Sequence, residues 1–213
     1  MSGGSENTST LVESGTAGVG VVVLAAGSSS RMGTPKQLLQ FQGQTLLRRA
    51  ALAALGAGCR PVVVVTGAHA ERTREELRGL DVLEVVNPLW ETGMASSVRA
   101  GVSALMESGA SAVVLTLCDQ PHVTSEIIAA LVVAHQATGS PVVASEYGGG
   151  FGVPALFGRA LFPELMRLEG QEGAKQVIKR HAREARFVPF PGGETDVDTP
   201  DDFARLLGLK ATE

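Results

Sequence analysis

The sequence has few aromatic residues, few cysteines and no excess of positive charge among its 213 residues. Aromatic side chains make up only 4% of the chain, so the core must consist mainly of Val, Leu, Ala and Ile. With 18 Lys and Arg against 22 Asp and Glu, the net charge is −4. This argues against a general nucleic-acid-binding protein, because such proteins carry a basic patch. The hydrophobic share of 44% is ordinary for a globular α/β protein.

The two cysteines, Cys59 and Cys118, show no spacing that predicts a disulfide bond, and no apolar run approaches the length of a membrane-spanning helix. Two isolated thiols fit a reducing compartment, so we expect a cytoplasmic protein that makes no contact with membranes. The four histidines lack metal-ligand spacing, and no Ser-His-Asp or Cys-His arrangement can be argued.

Residues 1–17 differ in composition from the rest of the chain. They are rich in Ser, Gly and Thr and contain no signal-peptide hydrophobic stretch, so we predict a disordered leader. Residues 18–209 contain no long linker, no repeat and no second change of composition, which predicts a single domain. This length is sufficient for one substantial core.

Apolar runs alternate with helical segments over the first two thirds of the chain. Their short connections predict an α/β fold, a Rossmann-like three-layer sandwich with a mostly parallel sheet and helices on both faces. The predicted strands cover residues 19–24, 61–66, 82–86, 111–117 and 141–145, and the predicted helices cover 45–55, 71–78, 95–107 and 125–137.

The pattern changes after residue 145. Residues 146–154 are rich in glycine and are predicted to be mobile. Beyond them we predict a short strand at 153–157, helices at 159–168, 172–183 and 201–207, and a last strand at 186–189 that is antiparallel or peripheral.

The segment from Val21 to Lys36 is an apolar run that ends in glycine, serine and two cations. Gly27 and Gly33 let the backbone approach a ligand closely, the serines between them offer hydroxyl groups, and Arg31 and Lys36 add positive charge. Open α/β sheets bind ligands at the carboxyl ends of their strands, so this loop predicts an anion site, most simply for a polyphosphate. The alternative is a flexible turn with two solvated cations.

Two common phosphate-binding motifs are absent from this loop. A P-loop requires lysine directly after its second glycine, but Thr34 and Pro35 precede Lys36. The dinucleotide fingerprint G-x-G-x-x-G is also missing. Because Pro35 favours an extended Thr34, we predict that a long loop surrounds the phosphates. We further expect Lys36 to be an exposed lysine whose replacement leaves the fold intact.

Carboxylates that follow extended segments are candidates for a metal site. Asp119 follows an apolar strand, and Mg²⁺ prefers carboxylate oxygen together with substrate phosphates. The alternative for Asp119 is a turn or helix-capping role. In an extended segment, Asp196 and Asp198 would share a face. Thr199 is the better cap for the following helix, which leaves Asp198 available, whereas a structural role for Asp196 remains equally open.

A third candidate lies at the predicted helix start around residues 93–99. Gly93, Ser96 and Ser97 combine a small residue with two hydroxyl groups, which could hydrogen-bond a base or a ribose at a helix N-terminus. An ordinary serine cap is the alternative.

The loop from Leu24 to Lys36, Leu-Ala-Ala-Gly-x-Ser-x-Arg-Met-Gly-x-x-Lys, resembles the signature loop of the nucleotidyltransferases that include the molybdenum cofactor guanylyl- and cytidylyltransferases. The resemblance extends to Cys118-Asp119-Gln120-Pro121 and to Asp196-Val197-Asp198-Thr199-Pro200, and it covers roughly residues 18 to 207. It implies the fold of the nucleotide-diphospho-sugar transferases.

The resemblance also implies the reaction and the site. An acceptor phosphate would attack the α-phosphorus of a nucleoside triphosphate in the presence of Mg²⁺, and pyrophosphate would leave. The nucleotide-binding half would cover about residues 18–120 and the acceptor-binding half about 121–209. The implied catalytic residues are Arg31, Lys36 and Asp119, the metal ligands are Asp119 and Asp198, and the nucleotide-binding residues are Leu24, Ala25, Ala26, Gly27, Ser29, Gly33, Gly93, Ser96 and Ser97.

The substrates follow from finer features of the resemblance. Ala26 stands where the guanylyltransferases generally have a second glycine, and the segment after Leu117 is more similar to the cytidylyltransferases, so we predict CTP rather than GTP. The acceptor most consistent with the family is molybdenum–molybdopterin, and a molybdenum hydroxylase would receive the product. The alternatives are a sugar-1-phosphate or other phospho-alcohol nucleotidyltransferase, and a non-catalytic nucleotide-binding accessory protein of a molybdenum hydroxylase.

Three residues of the acceptor-binding half remain without a role. Gln171 stands where the cytidylyltransferases usually carry an aspartate. Lys175 could hold an acceptor phosphate or lie on the helix surface, and His122 is the one histidine close to Asp119 in sequence.

Overall fold

The computed structural model describes residues 18–209, so the predicted leader at residues 1–17 lies outside the described residues. Within residues 18–209, no helix is long and apolar enough to cross a membrane. The strands are β1 (Val19–Leu24), β2 (Gln40–Phe41), β3 (Gln44–Thr45), β4 (Val62–Thr66), β5 (Leu83–Val86), β6 (Ala112–Leu117), β7 (Val142–Tyr147), β8 (Gly150–Gly158) and β9 (Arg186–Pro189). The helices are α1 (Leu46–Gly56), α2 (Ala70–Leu77), α3 (Met94–Glu107), α4 (Ser125–Thr138), α5 (Phe162–Leu165), α6 (Ala174–Arg180) and α7 (Pro200–Leu206).

Seven strands form one sheet in the order β5-β4-β1-β6-β8-β7-β9, and β2 pairs with β3 in a small separate hairpin. Strand β1 lies in the interior of the sheet and is parallel to both of its neighbours, β4 and β6. Strand β8 is antiparallel to both of its neighbours, β6 and β7. One sheet therefore spans both predicted halves of the chain, and its other strands all run in one direction.

Strand β1 explains why both faces of the sheet are covered by helices. Val22 and Leu24 pack in one core cluster with α3, α5 and α6, whereas Val21 and Val23 pack in a second cluster with α1 and α4. Side chains alternate between the faces of a strand, so a continuous apolar run requires both faces to be buried. This confirms the predicted three-layer α/β sandwich.

The second half of the chain differs from the prediction in its strands. Residues 146–154, predicted to be mobile, belong mostly to a hairpin of β7 and β8, whose turn places Gly148 and Gly149 at positive φ. The short strand predicted at 153–157 is the nine-residue β8. The last strand was predicted to be antiparallel or peripheral. Strand β9 is peripheral, because it lies at the edge of the sheet, and it is parallel to β7.

The helix predicted at 159–168 is also wrong in extent. The chain there forms a 3-10 turn at Arg159–Leu161 and only one α-helical turn, α5. Leu161, Leu165 and Leu168 are nevertheless buried, so the apolar spacing that imitates a longer helix reflects core packing alone. The helix predicted at 172–183 is observed as the shorter α6. Gly173 is its N-cap and lies in an extended conformation, so the helix begins at Ala174.

Candidate active site

A cavity of about 440 Å³ opens at the carboxyl ends of β1 and β6 and beside the N-terminus of α3. This is where a mostly parallel sheet is expected to bind ligands. Among the predicted site residues, the cavity lining includes Leu24, Ala25, Ala26, Gly27, Ser29, Arg31, Lys36, Gly93, Ser97, Asp119 and Asp198, but it does not include Gly33 or Ser96.

The loop after β1 is held by a buried glutamine that the sequence analysis did not single out. The Gln37 amide donates hydrogen bonds of 2.9 Å to the Ala25 carbonyl and 2.7 Å to the Gly27 carbonyl. The Ser29 hydroxyl accepts a 3.0 Å hydrogen bond from the Lys36 N–H. The loop is thus held by hydrogen bonds at several points, which favours an ordered loop over the alternative of a flexible turn.

A small apolar cluster anchors the outer side of the same loop. Met32, Phe41 and Leu46 pack against Val197, which is fully buried. The Val197 N–H donates a 3.0 Å hydrogen bond to the Asp119 carbonyl. The segment that carries Asp198 is therefore fixed to the end of β6 and to the loop at once.

The fixed loop leaves several backbone groups open to a ligand. Among residues 18–209, the N–H groups of Ala26, Gly27 and Ser28 have no hydrogen-bond acceptor. Ser29 has a φ of 58°, in the left-handed region that non-glycine residues seldom occupy. Successive free N–H groups beside such a turn form an anion-binding concavity, as a triphosphate requires.

Lys36 connects both candidate metal-binding carboxylates. Its ammonium donates hydrogen bonds to Asp119 and, at 3.0 Å, to Asp198, whose other oxygen lies 3.0 Å from Arg31. The Lys36 side chain is only 17% exposed, whereas that of Arg31 is 69% exposed. The expectation that Lys36 is an exposed loop lysine is therefore wrong, because two carboxylates from distant segments surround its ammonium.

The protonation states follow from these contacts. Burial alone would lower the pKa of Lys36, but the charge of Asp119 and the hydrogen bonds to both carboxylates raise that pKa well above its usual range. Burial alone would raise the pKa of Asp198, yet the hydrogen bond and charge of Lys36, with Arg31, hold it below its usual value. The lysine is thus charged and Asp198 ionised at neutral pH.

The neighbouring Asp196 and Cys118 behave differently. Burial, followed by the charges of Asp119 and Asp198, raises the pKa of Asp196 to about 6. Asp196 does not line the cavity. Burial, followed by the charge of Asp119, raises the pKa of the Cys118 thiol to about 12, so this cavity residue is not a nucleophile at neutral pH.

Asp119 and Asp198 have the chemistry that Mg²⁺ requires. The Oδ1 atom of Asp119 is buried and has no hydrogen-bond partner among residues 18–209, so the lone pairs of this hard oxygen are unused. Among residues 18–209, no group of three or more His, Cys, Asp or Glu side chains could hold a metal. A divalent metal here would depend on substrate phosphates and water for its other ligands, as Mg²⁺ commonly does.

The N-terminus of α3 is shaped by a contact between two glycines. Gly93 has φ 115° and ψ 175°, and a Cβ atom on it would lie 2.2 Å from the Gly170 carbonyl oxygen. That oxygen accepts a 3.1 Å hydrogen bond from the Ala95 N–H. This contact brings the neighbouring Gln171 into the cavity lining.

Two cavity residues, Gln37 and Trp90, had no signal in the sequence, because each belongs to a segment whose pattern resembles an ordinary turn. Met94 also lines the cavity and lies within the predicted helix start around residues 93–99, although it was not singled out there. By contrast, Lys175 is exposed and His122 packs against the edge of Phe41 with ring centroids 6.3 Å apart. Neither of these two residues lines the cavity.

Curated relatives cover nearly the whole described chain. The chain is 30% identical over 200 residues to the nicotine blue oxidoreductase of Paenarthrobacter nicotinovorans, covering 87% of this chain and 95% of that protein. It is also 30% identical over 197 residues to the purine catabolism protein PucB of Bacillus subtilis, covering 85% of this chain and 92% of that protein.

Solved structures share the fold. Rv0371c of Mycobacterium tuberculosis has a TM-score of 0.77 and 33% identity, over 90% of this chain and 99% of that one. A manganese complex of Rv0371c has a TM-score of 0.72 and 32% identity, over 89% and 97% of the two chains. Molybdopterin-guanine dinucleotide biosynthesis protein A of Archaeoglobus fulgidus has a TM-score of 0.62, over 88% and 96% of the two chains, and with 18% identity it shows the fold alone.

A family model supplies the remaining evidence. The model described as the MobA-like NTP transferase domain matches residues 21–185. This range contains the loop after β1, the N-terminus of α3 and the Asp119 end of β6, while Asp198 lies beyond it. The matched range, the fold and the similar proteins together identify the chain as a member of the MobA-like nucleotidyltransferase family.

Proposed function

We propose that this protein transfers CMP from CTP to a phosphorylated acceptor of the molybdopterin type and releases pyrophosphate. The observation that carries the proposal is the Lys36 ammonium between Asp119 and Asp198, beside a loop with free N–H groups. Cations and free N–H groups suit a triphosphate, and paired carboxylates suit the metal ion that accompanies it.

The acceptor phosphate needs no general base in this reaction. A phosphate monoester has a second pKa of about 6, so it is largely ionised near neutral pH. One of its oxygens attacks the α-phosphorus of the nucleotide, a new P–O bond forms, and the bond to the pyrophosphate oxygen breaks with its electron pair. Lys36 and Arg31 would bind the phosphates and neutralise the charge that develops on pyrophosphate, so positioning and electrostatics supply the catalysis.

Asp119 and Asp198 would hold Mg²⁺ in the working enzyme. Bound there, the metal would neutralise phosphate charge beside the reacting phosphorus. The buried, unpartnered Oδ1 of Asp119 supports this assignment, and the manganese complex of the similar Rv0371c protein is consistent with a divalent metal.

The preference for CTP over GTP rests on Ala26. This residue lines the cavity and is almost fully buried, and its methyl group adds volume where a glycine would leave space. A narrower site beside the base disfavours a purine. The molybdopterin acceptor rests on the family, and a sugar 1-phosphate or another phospho-alcohol is the alternative acceptor within the same chemistry.

Pyrophosphate release tests the proposal. Purified protein with Mg²⁺ would be incubated with CTP or GTP and with molybdenum–molybdopterin or a panel of sugar 1-phosphates. We expect release only with an acceptor, faster with CTP, and lowered about 100-fold or more by Lys36→Ala. Lys179→Ala, which changes an exposed lysine on α6, is the matched control and should keep full activity.

Other outcomes would support the alternatives. Release with a sugar 1-phosphate but not with molybdopterin would replace the acceptor. Tight nucleotide binding without release under any condition would favour a non-catalytic accessory protein of a molybdenum hydroxylase. Because one relative is named an oxidoreductase, reduction of dye acceptors by NADH or NADPH is measured in parallel, and such activity without pyrophosphate release would overturn the proposal.

A further inference from the structure

We propose that Asn87 acts as a positioning residue that turns the Ser97 hydroxyl hydrogen toward the nucleobase, and that this hydrogen selects cytosine over uracil. The inference rests on the proposed function and adds a selection among pyrimidines. Asn87 is buried at the end of β5 and does not itself line the cavity, whereas Ser97 on α3 does. The two residues are joined by a hydrogen bond of 3.0 Å.

The orientation of the Asn87 amide is fixed by its partners. Its Oδ1 accepts a 2.9 Å hydrogen bond from the Leu89 N–H, which can only donate. The amide nitrogen must therefore face α3, where it donates to the hydroxyl oxygens of Ser96 at 2.8 Å and Ser97 at 3.0 Å. Both amide hydrogens are used, and neither serine can donate to this nitrogen.

The two serines then differ in where their own hydrogens can go. The single hydrogen of the Ser96 hydroxyl has two acceptors within reach, the carbonyl oxygens of Leu89 at 2.9 Å and Gly93 at 2.8 Å. The Ser97 hydroxyl has no acceptor among residues 18–209, although the residue is only 6% exposed and lines the cavity. A buried hydroxyl that already accepts from Asn87 thus offers its hydrogen to a ligand in the cavity.

The part of the lining around Ser97 suits a base rather than a phosphate. Trp90 and Met94 supply apolar surface, whereas the cations of the cavity come from the loop after β1. A planar base can pack on such surface, and its ring edge must find hydrogen-bond partners there. Cytosine presents an acceptor at N3, and uracil presents an N3–H donor at the same position.

A donor at this position discriminates between the two bases. Against cytosine N3, the Ser97 hydrogen is paired. Against uracil, Ser97 could accept the N3–H only by leaving its own buried hydrogen without an acceptor. An unpaired buried donor disfavours UTP, so we expect CTP to bind roughly 5- to 150-fold more tightly than UTP.

The substitution Asn87→Asp tests the inference because it reverses the polarity of Ser97. The carboxylate can still accept from Leu89 N–H, but the Ser97 hydroxyl must now donate to it, which leaves only lone pairs toward the cavity. The added charge weakens both nucleotides alike, since CTP and UTP carry the same phosphates. We therefore expect the ratio of the two dissociation constants to move by at least about fivefold toward UTP.

The dissociation constants of CTP and UTP with Mg²⁺ are measured by calorimetry and by the fluorescence of Trp90, the only tryptophan of the chain. Thermal unfolding reports whether each variant is folded. Ser97→Ala serves as a second test and should bring the ratio close to one through weaker CTP binding. The matched control is Ser145→Ala, which removes a fully buried hydroxyl that donates to the Pro154 carbonyl outside the cavity and should leave the ratio unchanged.

If the Asn87→Asp and Ser97→Ala proteins are both folded and keep the wild-type ratio of CTP and UTP dissociation constants, the inference is overturned. The proposed function would still stand. If Asn87→Asp does not fold, an unchanged ratio of dissociation constants in Ser97→Ala is sufficient to overturn the inference. If both variants change CTP and UTP affinity equally, Ser97 contacts the ribose or the phosphates and base selection is rejected. Failure of the wild-type protein to bind either nucleotide would overturn both the inference and the proposed function.

Discussion

The Lys36 ammonium donates a 3.0 Å hydrogen bond to Asp198 Oδ1, although 162 positions separate the two residues in the chain. The same ammonium also contacts Asp119. One lysine therefore pairs with both carboxylates that we propose as metal ligands. Because the phosphates of a nucleotide would compete for this lysine, we expect nucleotide binding to weaken its contacts with the two carboxylates.

Removing the lysine should destabilise the empty protein. In Lys36→Ala the largely buried Asp119 loses its cation, Asp198 keeps only its contact with Arg31, and unpaired buried charge is costly. We expect the free energy of unfolding to fall by about 1–3 kcal/mol, toward the lower value because Asp198 is more than a third exposed to solvent. Urea unfolding without divalent metal measures this loss.

Added Mg²⁺ should restore part of the stability of Lys36→Ala but leave the wild-type value nearly unchanged. Lys179→Ala on α6 is the control for loss of an exposed lysine. A Lys36→Ala protein as stable as wild type without metal would show that the two carboxylates do not depend on the ammonium.

Mg²⁺ and nucleotide should bind interdependently. The lysine occupies the two carboxylates until phosphate oxygens attract it, so the metal alone should bind weakly and the nucleotide should tighten its binding. Titrations followed by Trp90 fluorescence, with and without CTP, measure this coupling. Asp119→Asn should abolish the effect of Mg²⁺ on CTP affinity, and Asp198→Asn should reduce it less completely. Equal Mg²⁺ affinity in the presence and absence of CTP would contradict the prediction.

Gly93→Ala should damage both stability and activity. The φ of 115° disfavours any side chain, and the new Cβ would meet the Gly170 carbonyl at 2.2 Å, so one of the two segments must move. We expect a loss of about 1–3 kcal/mol in unfolding free energy and roughly 10- to 100-fold in turnover, because Ser97 and Gln171 shift with it.

Gly79→Ala is the control that separates the effect of backbone strain from the effect of the steric clash between a β-carbon at position 93 and the Gly170 carbonyl. Gly79 has a φ of 78°, a β-carbon added to it would meet no heavy atom within 4 Å, and it lies away from the cavity lining. This variant should lose some stability and keep normal turnover. Normal turnover in Gly93→Ala as well would remove the role assigned to the contact with Gly170.

Glu164 should make stability depend on pH in the acid range. Burial alone would raise the pKa of Glu164, but hydrogen bonds from His181 at 2.7 Å and Arg180 at 3.0 Å hold it below its ordinary value of 4.5. The folded protein therefore binds this proton less readily than the unfolded chain. The contribution to stability is present above pH 4.5 and is lost as the pH falls through the lowered pKa.

The variant Glu164→Gln should remove that contribution. The difference in unfolding free energy between wild type and variant should be largest near neutral pH and should shrink in acid, as chemical denaturation across this range would show. Glu184→Gln, at an exposed position, is the control. A difference that does not change with pH would assign the effect to packing rather than to the ionised carboxylate.

The first half of the fold could be predicted because its signals are local. Buried parallel strands such as β1 are continuous apolar runs, and the Thr45 hydroxyl caps α1 locally by accepting from the Arg48 N–H. The direction and length of β8 could not be predicted, because pairing between β6 and β7 depends on contacts between distant segments rather than on local pattern.

The residues of the candidate site also differ in whether they could be predicted from local sequence. Gly27, Arg31 and Lys36 were candidates from residue type alone and line the cavity, whereas the candidate Gly33 does not line it. Gln37 and Asn87 could not be predicted, because a buried amide acts through specific hydrogen bonds that its neighbours in sequence do not encode. The burial of Lys36 was missed for the same reason, since its partners come from far along the chain.

The contact between Val197 and the end of β6 has a consequence for how the protein becomes active during synthesis. A chain made only as far as residue 190 already contains every strand of the seven-stranded sheet, but it lacks Val197 and Asp198. Since translation delivers the N-terminal part first, the sheet can assemble before the loop after β1 receives its last apolar anchor. Prematurely terminated chains would thus resemble the finished protein in architecture while lacking a complete catalytic centre.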